Sequence, residues 1–401
     1  MPRPRDNIRV EAVGVGELAA PFTSIGIAND IMAPSETAFE LGNAGTYSEI
    51  RQHIAHGTQY KIWVNNLLRM TGRVEAQDIP IDAGAGSVVR FTVRTKLADA
   101  MYANVIKPIK VRDTTIKKFI LDLYAPLGYV EADFIFNQGA SRDLMTGLST
   151  KQYKSWRAKH GKTKTIKKED GTTKKIPQFP PQDPDLDKIT LDEAKIQPGE
   201  TIYDAADRHL RRHGMLHWDS PDGKIVIGAP DDEQPPVFHL QCNRGTNRDN
   251  NNVIGMTRVR DWSELPTDLS VMGMMRGKGT SRKRVGFHAA DPDAKEAGFY
   301  RPVNILAEGI RTGDAAERAA RREMSARSKQ KDAWQVELDG WSYWNGQKNT
   351  PWGIDCVVNV ESDIADGLLG WYYVHRVLLR RDPTGGNVTN LTVLKAGIWS
   401  I

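Results

Sequence analysis

Three histidines come nearest to a chemical site in this chain. His209-Leu210-Arg211-Arg212-His213 sets two imidazoles four residues apart, one turn along a helix face, with His217 just beyond. A zinc protease would need a glutamate beside the first histidine, where Leu210 stands, and Arg211 and Arg212 would repel a cation. His53 and His56 share a spacing of three, but they precede Gly57 without a nearby cysteine or further histidine and read as solvated. Paired carboxylates are the other route to hydrolysis, and a wall-cleaving glycosidase needs two of them about 5–9.5 Å apart. The acidic runs Asp183–Asp187 and Asp231-Asp232-Glu233 lie in Pro-rich polar connections and read as solvated loops. Gly14-Val15-Gly16 lacks the strand and helix of a dinucleotide site, and Gly277-Lys278-Gly279-Thr280-Ser281 lacks the spacing of a phosphate loop. No catalytic residue, cofactor or metal is expected.

Positive charge is the remaining functional chemistry, and it is localised. Between 151 and 175 ten Lys and Arg stand against Glu169 and Asp170, a local balance of +8, which leaves −3 for the rest of a chain whose net charge is +5. Pro177-Gln178-Phe179-Pro180-Pro181-Gln182-Asp183-Pro184 follows and can hold neither a helix nor a central strand, so the segment reads as an exposed insertion. Tyr153 and Trp156 are its only aromatics for base stacking, which argues against a nucleic-acid platform. A second cluster, Arg276, Lys278, Arg282, Lys283 and Arg284, reads as a hairpin tip or loop, either a partner-binding surface facing an acidic ring or a solvated loop.

A chain of 401 residues forms roughly two to four domains. Its 39% hydrophobic and 26% charged content is that of a soluble globular protein. No stretch approaches the about eighteen apolar residues of a spanning helix, and no signal peptide follows Met1-Pro2-Arg3, so folding in a cytoplasm is expected. Two cysteines, Cys242 and Cys356, exclude a disulfide framework and read as buried thiols, with a single bridge between them left open. Five of the ten tryptophans fall within Trp334–Trp371, which points to a packed barrel or a subunit contact.

The elements that would position these residues include one unit written twice. Ile116, Phe119, Ile120, Leu123 and Leu127 recur at helical spacing up to Gly128, with strands expected at Tyr129–Val130 and Phe134–Phe136. In the second copy Ile202, Ala205, Ala206 and Leu210 lead to Gly214. Strands Met215–Trp218 and Lys224–Ile227 then flank the turn Ser220-Pro221-Asp222-Gly223. First apolar anchor and stop glycine are twelve residues apart in both copies.

Most of the remainder reads as strand. Gln59–Val93 is a meander turning at Asn65-Asn66, and further strand-rich regions run over Val237–Met275 and from Trp334 to the C-terminus. A helix from about Asp314 to Gln330, with Asp314 as cap, presents only a small-residue face of Ala315, Ala316, Ala319, Ala320 and Met324. The class expected is α+β, predominantly β and multi-domain. Residues 1–108 form a first small β-barrel and 109–235 hold the paired helix–strand modules with a basic insertion at 137–197. Residues 236–281 and 332–401 form a second β-barrel, and 282–331 are a linker and helix.

The order of these segments resembles the tail hub family of contractile-tailed phages, the gpP-like or Mu-like hub proteins. The carrying residues are Gly199-Glu200-Thr201-Ile202 through His213-Gly214-Met215-Leu216 and Asp222-Gly223-Lys224-Ile225-Val226-Ile227. Phe299-Tyr300-Arg301-Pro302-Val303 with the Arg-rich helix, Trp334–Trp341, Pro351-Trp352 to Val360, Tyr372–Arg380 and Asn390–Lys395 follow in family order. Ile62-Trp63-Val64-Asn65-Asn66 to Gly72-Arg73-Val74-Glu75 is a shorter N-terminal match, and 137–197 departs by being longer and more basic. The resemblance implies a non-enzymatic virion protein: a homotrimer with two similar β-barrels per chain, forming a ring of pseudo-sixfold symmetry in the tail baseplate. Implied partners are tail tube or tube-initiator proteins, the central spike and baseplate wedge proteins. Assembly in the host cytoplasm is implied, with neither membrane nor DNA contact expected.

Overall fold

The computed structural model describes residues 6–18, 22–42, 53–79, 81–82, 86–105, 114–136, 163–167, 173–177, 188–189, 196, 199–212, 215–230, 232, 234–244, 251–276, 282–306, 310, 313–345, 348–363, 369–382 and 386–395. The N-terminal strands are β1 (Ile8–Ala12), β2 (Phe22–Asp30), β3 (Ala33–Leu41), β4 (Gln59–Val64), β5 (Leu67–Asp78) and β6 (Val89–Arg94), before helix α1 (Lys96–Tyr102). Alternation drives them: Tyr60, Ile62 and Val64 of β4 and Val89, Phe91 and Val93 of β6 all point into one core. Phe39 stacks on Phe91 with ring centroids 4.8 Å apart. Asn65 and Asn66 take positive φ (50° and 62°), so the expected meander turns through a tight two-residue hairpin.

The doubled unit is real in its helices and fuses into one module. Helix α2 (Ile116–Tyr124) begins at Thr115, whose hydroxyl accepts from Lys118 N–H at 3.2 Å. Gly128 beyond it has φ 79°. Strand β7 (Phe134–Ile135) follows. Helix α3 (Ile202–Arg212) then leads to the hairpin β8 (Leu216–Asp219) and β9 (Ile225–Gly228). Its turn closes with Gly223 N–H donating to Ser220 O at 3.0 Å. Parallel pairing of β7 with β9 puts strands of both copies in one three-stranded sheet, and the two helices share a core of Phe119, Ile120, Leu123, Ala205, Ala206 and Leu210. Tyr129–Val130 is not a strand as expected: the Tyr129 hydroxyl is held by Lys96 O at 2.9 Å, and a 3₁₀ turn starts at Glu131. Gly214 lies outside the described residues. In the basic insertion, Thr163–Lys167 pairs antiparallel with Thr173–Pro177, while 151–162 and 178–187 lie outside the described residues.

The C-terminal half comprises β10 (Phe238–Cys242), β11 (Val253–Val259), β12 (Asp268–Arg276), β13 (Arg282–Ala290), α4 (Pro292–Glu296), β14 (Pro302–Leu306) and α5 (Gly313–Ser328). Strands β15 (Ala333–Asp339), β16 (Cys356–Ser362), β17 (Gly370–Asp382) and β18 (Gly386–Lys395) complete it. The segment 282–331 thus holds two strands as well as the helix, and β13, β12 and β14 make a separate sheet in that order. Helix α5 lays Ala316 and Ala320 against Val271, and it starts one residue before the expected cap.

A thirteen-stranded sheet joins the two halves, in the order β11-β15-β18-β17-β2-β3-β6-β5-β4-β1 and then the short strand Gly16–Glu17; β16 pairs with β17 and β10 with β16. The fold is therefore predominantly β with segregated helices, as expected. At Gly72 of β5 the backbones cross so closely that an added Cβ would sit 2.4 Å from Arg94 O and 2.9 Å from a Val93 methyl. Overpacking of this kind costs about 1–3 kcal/mol. Gly72→Ala should lower the urea midpoint accordingly, and an unchanged midpoint would show that β5 and β6 separate there without penalty.

Candidate functional site

The basic cluster occupies the end of one hairpin. Arg276 closes β12 opposite Arg282, the first residue of β13, and Lys283 and Arg284 stand opposite Met275 and Met274. Arg284 is exposed, and Lys278 lies outside the described residues. The hairpin stands on α5 through Val285, Phe287 and Ala289 and is tied to the main sheet by charge. Lys331 Nζ lies 2.8 Å from Asp291 and 2.6 Å from Asp293, and Arg258 binds both Asp332 oxygens at 2.6 and 2.7 Å. Four of the five predicted partner-binding residues are thereby brought to one hairpin end.

The chemical candidates disperse. His209 is buried with its ring edge-on to Phe119, His213 is outside the described residues, and His217 is buried with Nδ1 3.2 Å from the Tyr124 hydroxyl. His53 is half-buried and His56 exposed. Among the described residues no group of His, Cys, Asp and Glu gathers that could hold a metal ion. Asp232 corrects its solvated reading, being 2% exposed; Asp231, Glu233 and Asp183–Asp187 lie outside the described residues. Gly14 and Gly16 form a tight turn with φ 81° and 124°. Both cysteines are free. Cys356 is buried and its thiol donates to Gly353 O, whereas Cys242 is only partly buried, contrary to expectation. Trp341 and Trp352 are core residues, and Trp371 is 41% exposed.

A cleft of about 470 Å³ opens among α3, α5 and the 263–266 loop, lined by Arg211, Arg301, Arg327, Glu264 and Glu323. Arg211 pairs with Asp207 and Arg327 with Glu323, while Arg301 donates to Ser263 O at 3.1 Å. Two of its three arginines are thus paired with carboxylates of the same chain, and among the described residues no nucleophile with a base converges there. No helix among the described residues is long and apolar enough to cross a membrane.

Reasoning from spacing missed a buried polar joint on β8. Asp219 Oδ2 accepts from Ser35 N–H at 2.7 Å and from the Thr95 hydroxyl at 2.6 Å, tying the helix–strand module to β3 and the start of α1. These partners lie 184 and 124 residues away, so no local pattern marks them. Burial raises the Asp219 carboxyl to about 6 against the opposing hydrogen bonds from Thr95 and Ser35. Burial, helped by the Arg211 charge, lowers His217 to about 3.

No protein-family model matches the chain, and no curated protein matches it. Its fold is nevertheless shared along its whole length with solved tail proteins. The tail protein from Neisseria meningitidis MC58 superposes with a TM-score of 0.70 at 16% identity, covering 99% of this chain and 98% of that one. The 43 kDa tail protein of prophage MuSo2 from Shewanella oneidensis gives 0.66 at 17%, covering 98% and 99%. An E. coli component of the type VI secretion system, itself structurally similar to the T4 bacteriophage tail proteins gp27 and gp5, gives 0.51 at 9%, covering 96% and 76%. At these identities the common property is the architecture.

The β8 pair makes opposite demands on protons. Asp219 has a folded pKa of about 6 against an ordinary 3.8, so folding takes up a proton between those values and stability rises as pH falls through them. His217, folded near 3 against an ordinary 6.5, keeps its stabilising share above 6.5 and loses it as pH falls toward 3. Between pH 3.8 and 6 the two cancel. Relative to wild type, Asp219→Asn should lose stability on acidification from pH 6 to 4 by about 1.4 kcal/mol per pH unit, and His217→Gln should gain at the same slope. Urea unfolding at three pH values measures both, and parallel curves for all three proteins would exclude the compensation.

Proposed function

We propose that this chain is the structural hub of a contractile phage tail baseplate, a homotrimeric ring joining the tail tube to the central spike. The observation that carries the reading is the end-to-end correspondence of fold with two tail proteins at TM-scores of 0.70 and 0.66, with neither chain leaving an unmatched domain of any size. The order of motifs read in the sequence supports the same assignment independently of the fold. Two barrels per chain, 1–108 and 236–281 with 332–401, would give three chains six similar units around an axis, matching a hexameric tube above to a trimeric spike below. Sheet edges then lie against neighbours rather than open to solvent. Tube or tube-initiator proteins, the spike and wedge proteins are the partners of such a ring, in the virion tail and during assembly in the host cytoplasm. The hub acts by geometry and has no reaction of its own.

Light scattering on the purified protein should give the mass of three chains, and electron microscopy a ring with threefold symmetry. A stable monomer at high concentration and low salt would overturn the reading. Hydrolysis of purified peptidoglycan would favour an enzyme instead, and salt-dependent retention on DNA a nucleic-acid-binding virion component.

The basic hairpin end is the docking surface proposed for tube or spike, because charge attraction on one face orients a ring between unlike partners. Exposed contacts of this kind are screened beyond about 8 Å at physiological salt. Replacing Arg282, Lys283 and Arg284 by Ser should leave the trimer intact and reduce partner incorporation. Trimers that dissociate would place the cluster between subunits, and unchanged assembly would exclude it as a docking surface.

A further inference from the structure

Among the described residues the edge of β13 is longer and more regular than the other sheet edges. Strand β11 is interrupted by a bulge between Val253 and Gly255. The edge of β10 is sealed by one side chain: Asn252 Oδ1 accepts from Gln241 N–H at 2.9 Å, and its Nδ2 donates to His239 O at 2.7 Å. Strand β1 is covered by Gly16–Glu17 and by Leu18 N–H donating to Val10 O. Strand β14 is five residues long and opens with Pro302.

Strand β13 has none of these devices. It runs nine residues without proline, and its register with β12 is unbroken from Asp268↔Ala290 to Arg276↔Arg282. Among the described residues its outer side receives no backbone hydrogen bond. Helix α5 covers only the face bearing Val285, Phe287 and Ala289, while Arg284, Gly286, His288 and Ala290 are exposed on the other. A regular nine-residue edge of this kind is a template for another strand.

Charge selects which strand. Antiparallel addition of a second copy's β13 about Gly286 would set Arg282, Lys283 and Arg284 opposite the copy's Ala290, Ala289 and His288, which offer them no carboxylate. An acidic strand meets the reverse situation. We propose that the β13 edge binds an extended, carboxylate-bearing segment of a partner protein by strand addition. Main-chain hydrogen bonds supply affinity, and the basic residues at 282–284 supply selectivity. The inference deepens the docking surface proposed above and rests on it, but not on the tail assignment.

The test uses the full-length protein and an acetylated ten-residue peptide in which valine or threonine alternates with glutamate. A second peptide is identical except for N-methylation at two adjacent central residues, which blocks both of its edges. Titration calorimetry should show one site for the first peptide, and hydrogen exchange should slow in the amides of β13. The Arg282→Ser, Lys283→Ser and Arg284→Ser triple variant and the N-methylated peptide should each weaken binding by at least about tenfold. Equal binding of both peptides would overturn strand addition and leave the charged docking surface standing. No binding at about 1 mM peptide, or binding indifferent to the triple variant, would overturn both. Self-association through β13 that the peptide does not displace would show that a second copy is the occupant.

Discussion

The pairing of β2 with β17 is the constraint on which the rest of the structure depends. It sets Ile25–Asp30 against Arg381–Arg376, bringing together strands from opposite ends of the chain. The entropy of closing so long a loop rises only slowly with its length, so a ladder of six residue pairs with a buried face suffices. Strand β17 can serve both halves because of its thirteen residues. Gly370–Val374 pairs with β16, the register against β18 shifts between Val374 and Arg376, and the remainder pairs with β2 along the same edge. His375 at the shift accepts from Ile31 N–H, closing the gap between the two neighbours. A one-residue slip of β2 would turn Ile25 and Ile27 out of the core, so the register is fixed by burial as much as by hydrogen bonds.

Polar contacts then lock the halves. Arg69, 5% exposed, donates to Trp352 O at 2.5 Å, and burial lowers its guanidinium to about 10. Asp6 accepts from Trp341 N–H at 2.7 Å and from Asn65, whose amide also reaches Ser342. The helix–strand module joins through the β8–β9 hairpin, which is buried on both faces. Leu216, Trp218 and Val226 enter the main core, while Met215, Ile225 and Ile227 enter the module's own. A hairpin shared by two cores cannot leave either without exposing both, and its one buried carboxylate takes hydrogen bonds at Oδ2 from Ser35 of β3 and Thr95 before α1.

Local pattern made much of this legible. The β4–β5–β6 meander, the Asn65-Asn66 turn, helices α2, α3 and α5 and the C-terminal strands follow from periodicity and turn residues, because each is decided within about ten residues. Strands β2 and β3 were harder, since their inward positions include Asn29, Ser35 and Thr37, polar residues whose burial is made possible by partners such as the Asn29–Ser35 bond at 3.0 Å. Tyr129–Val130 misled because an aromatic and a β-branched residue after a helix read as strand, whereas the Tyr129 hydroxyl is anchored to α1. The basic hairpin end was found by composition. What stays closed about it, and what stays open, depends on strand neighbours that no spacing records.

Among the described residues the hairpin sheet has a small apolar core: its buried members with α5 are Val271, Ile310, Ala316 and Ala320, against forty in the main core. Ala316 and Ala320 pack the helix on Val271, and an added Cβ at Gly273 would lie 2.2 Å from O of Ile310, which precedes the helix. Close packing of small residues buries little area, at about 25 cal/mol per Å². The Lys331–Asp291 pair joins the end of β13 to the turn before β15, and Arg258 of β11 holds Asp332 of the same turn. Partner-binding elements are drawn from the less stable end of a fold, because a surface that must adapt to a neighbour cannot also be locked by its own core. The open edge, the local positive charge and the thin apolar support thus fall on one element, and that coincidence favours a docking role over a purely internal one.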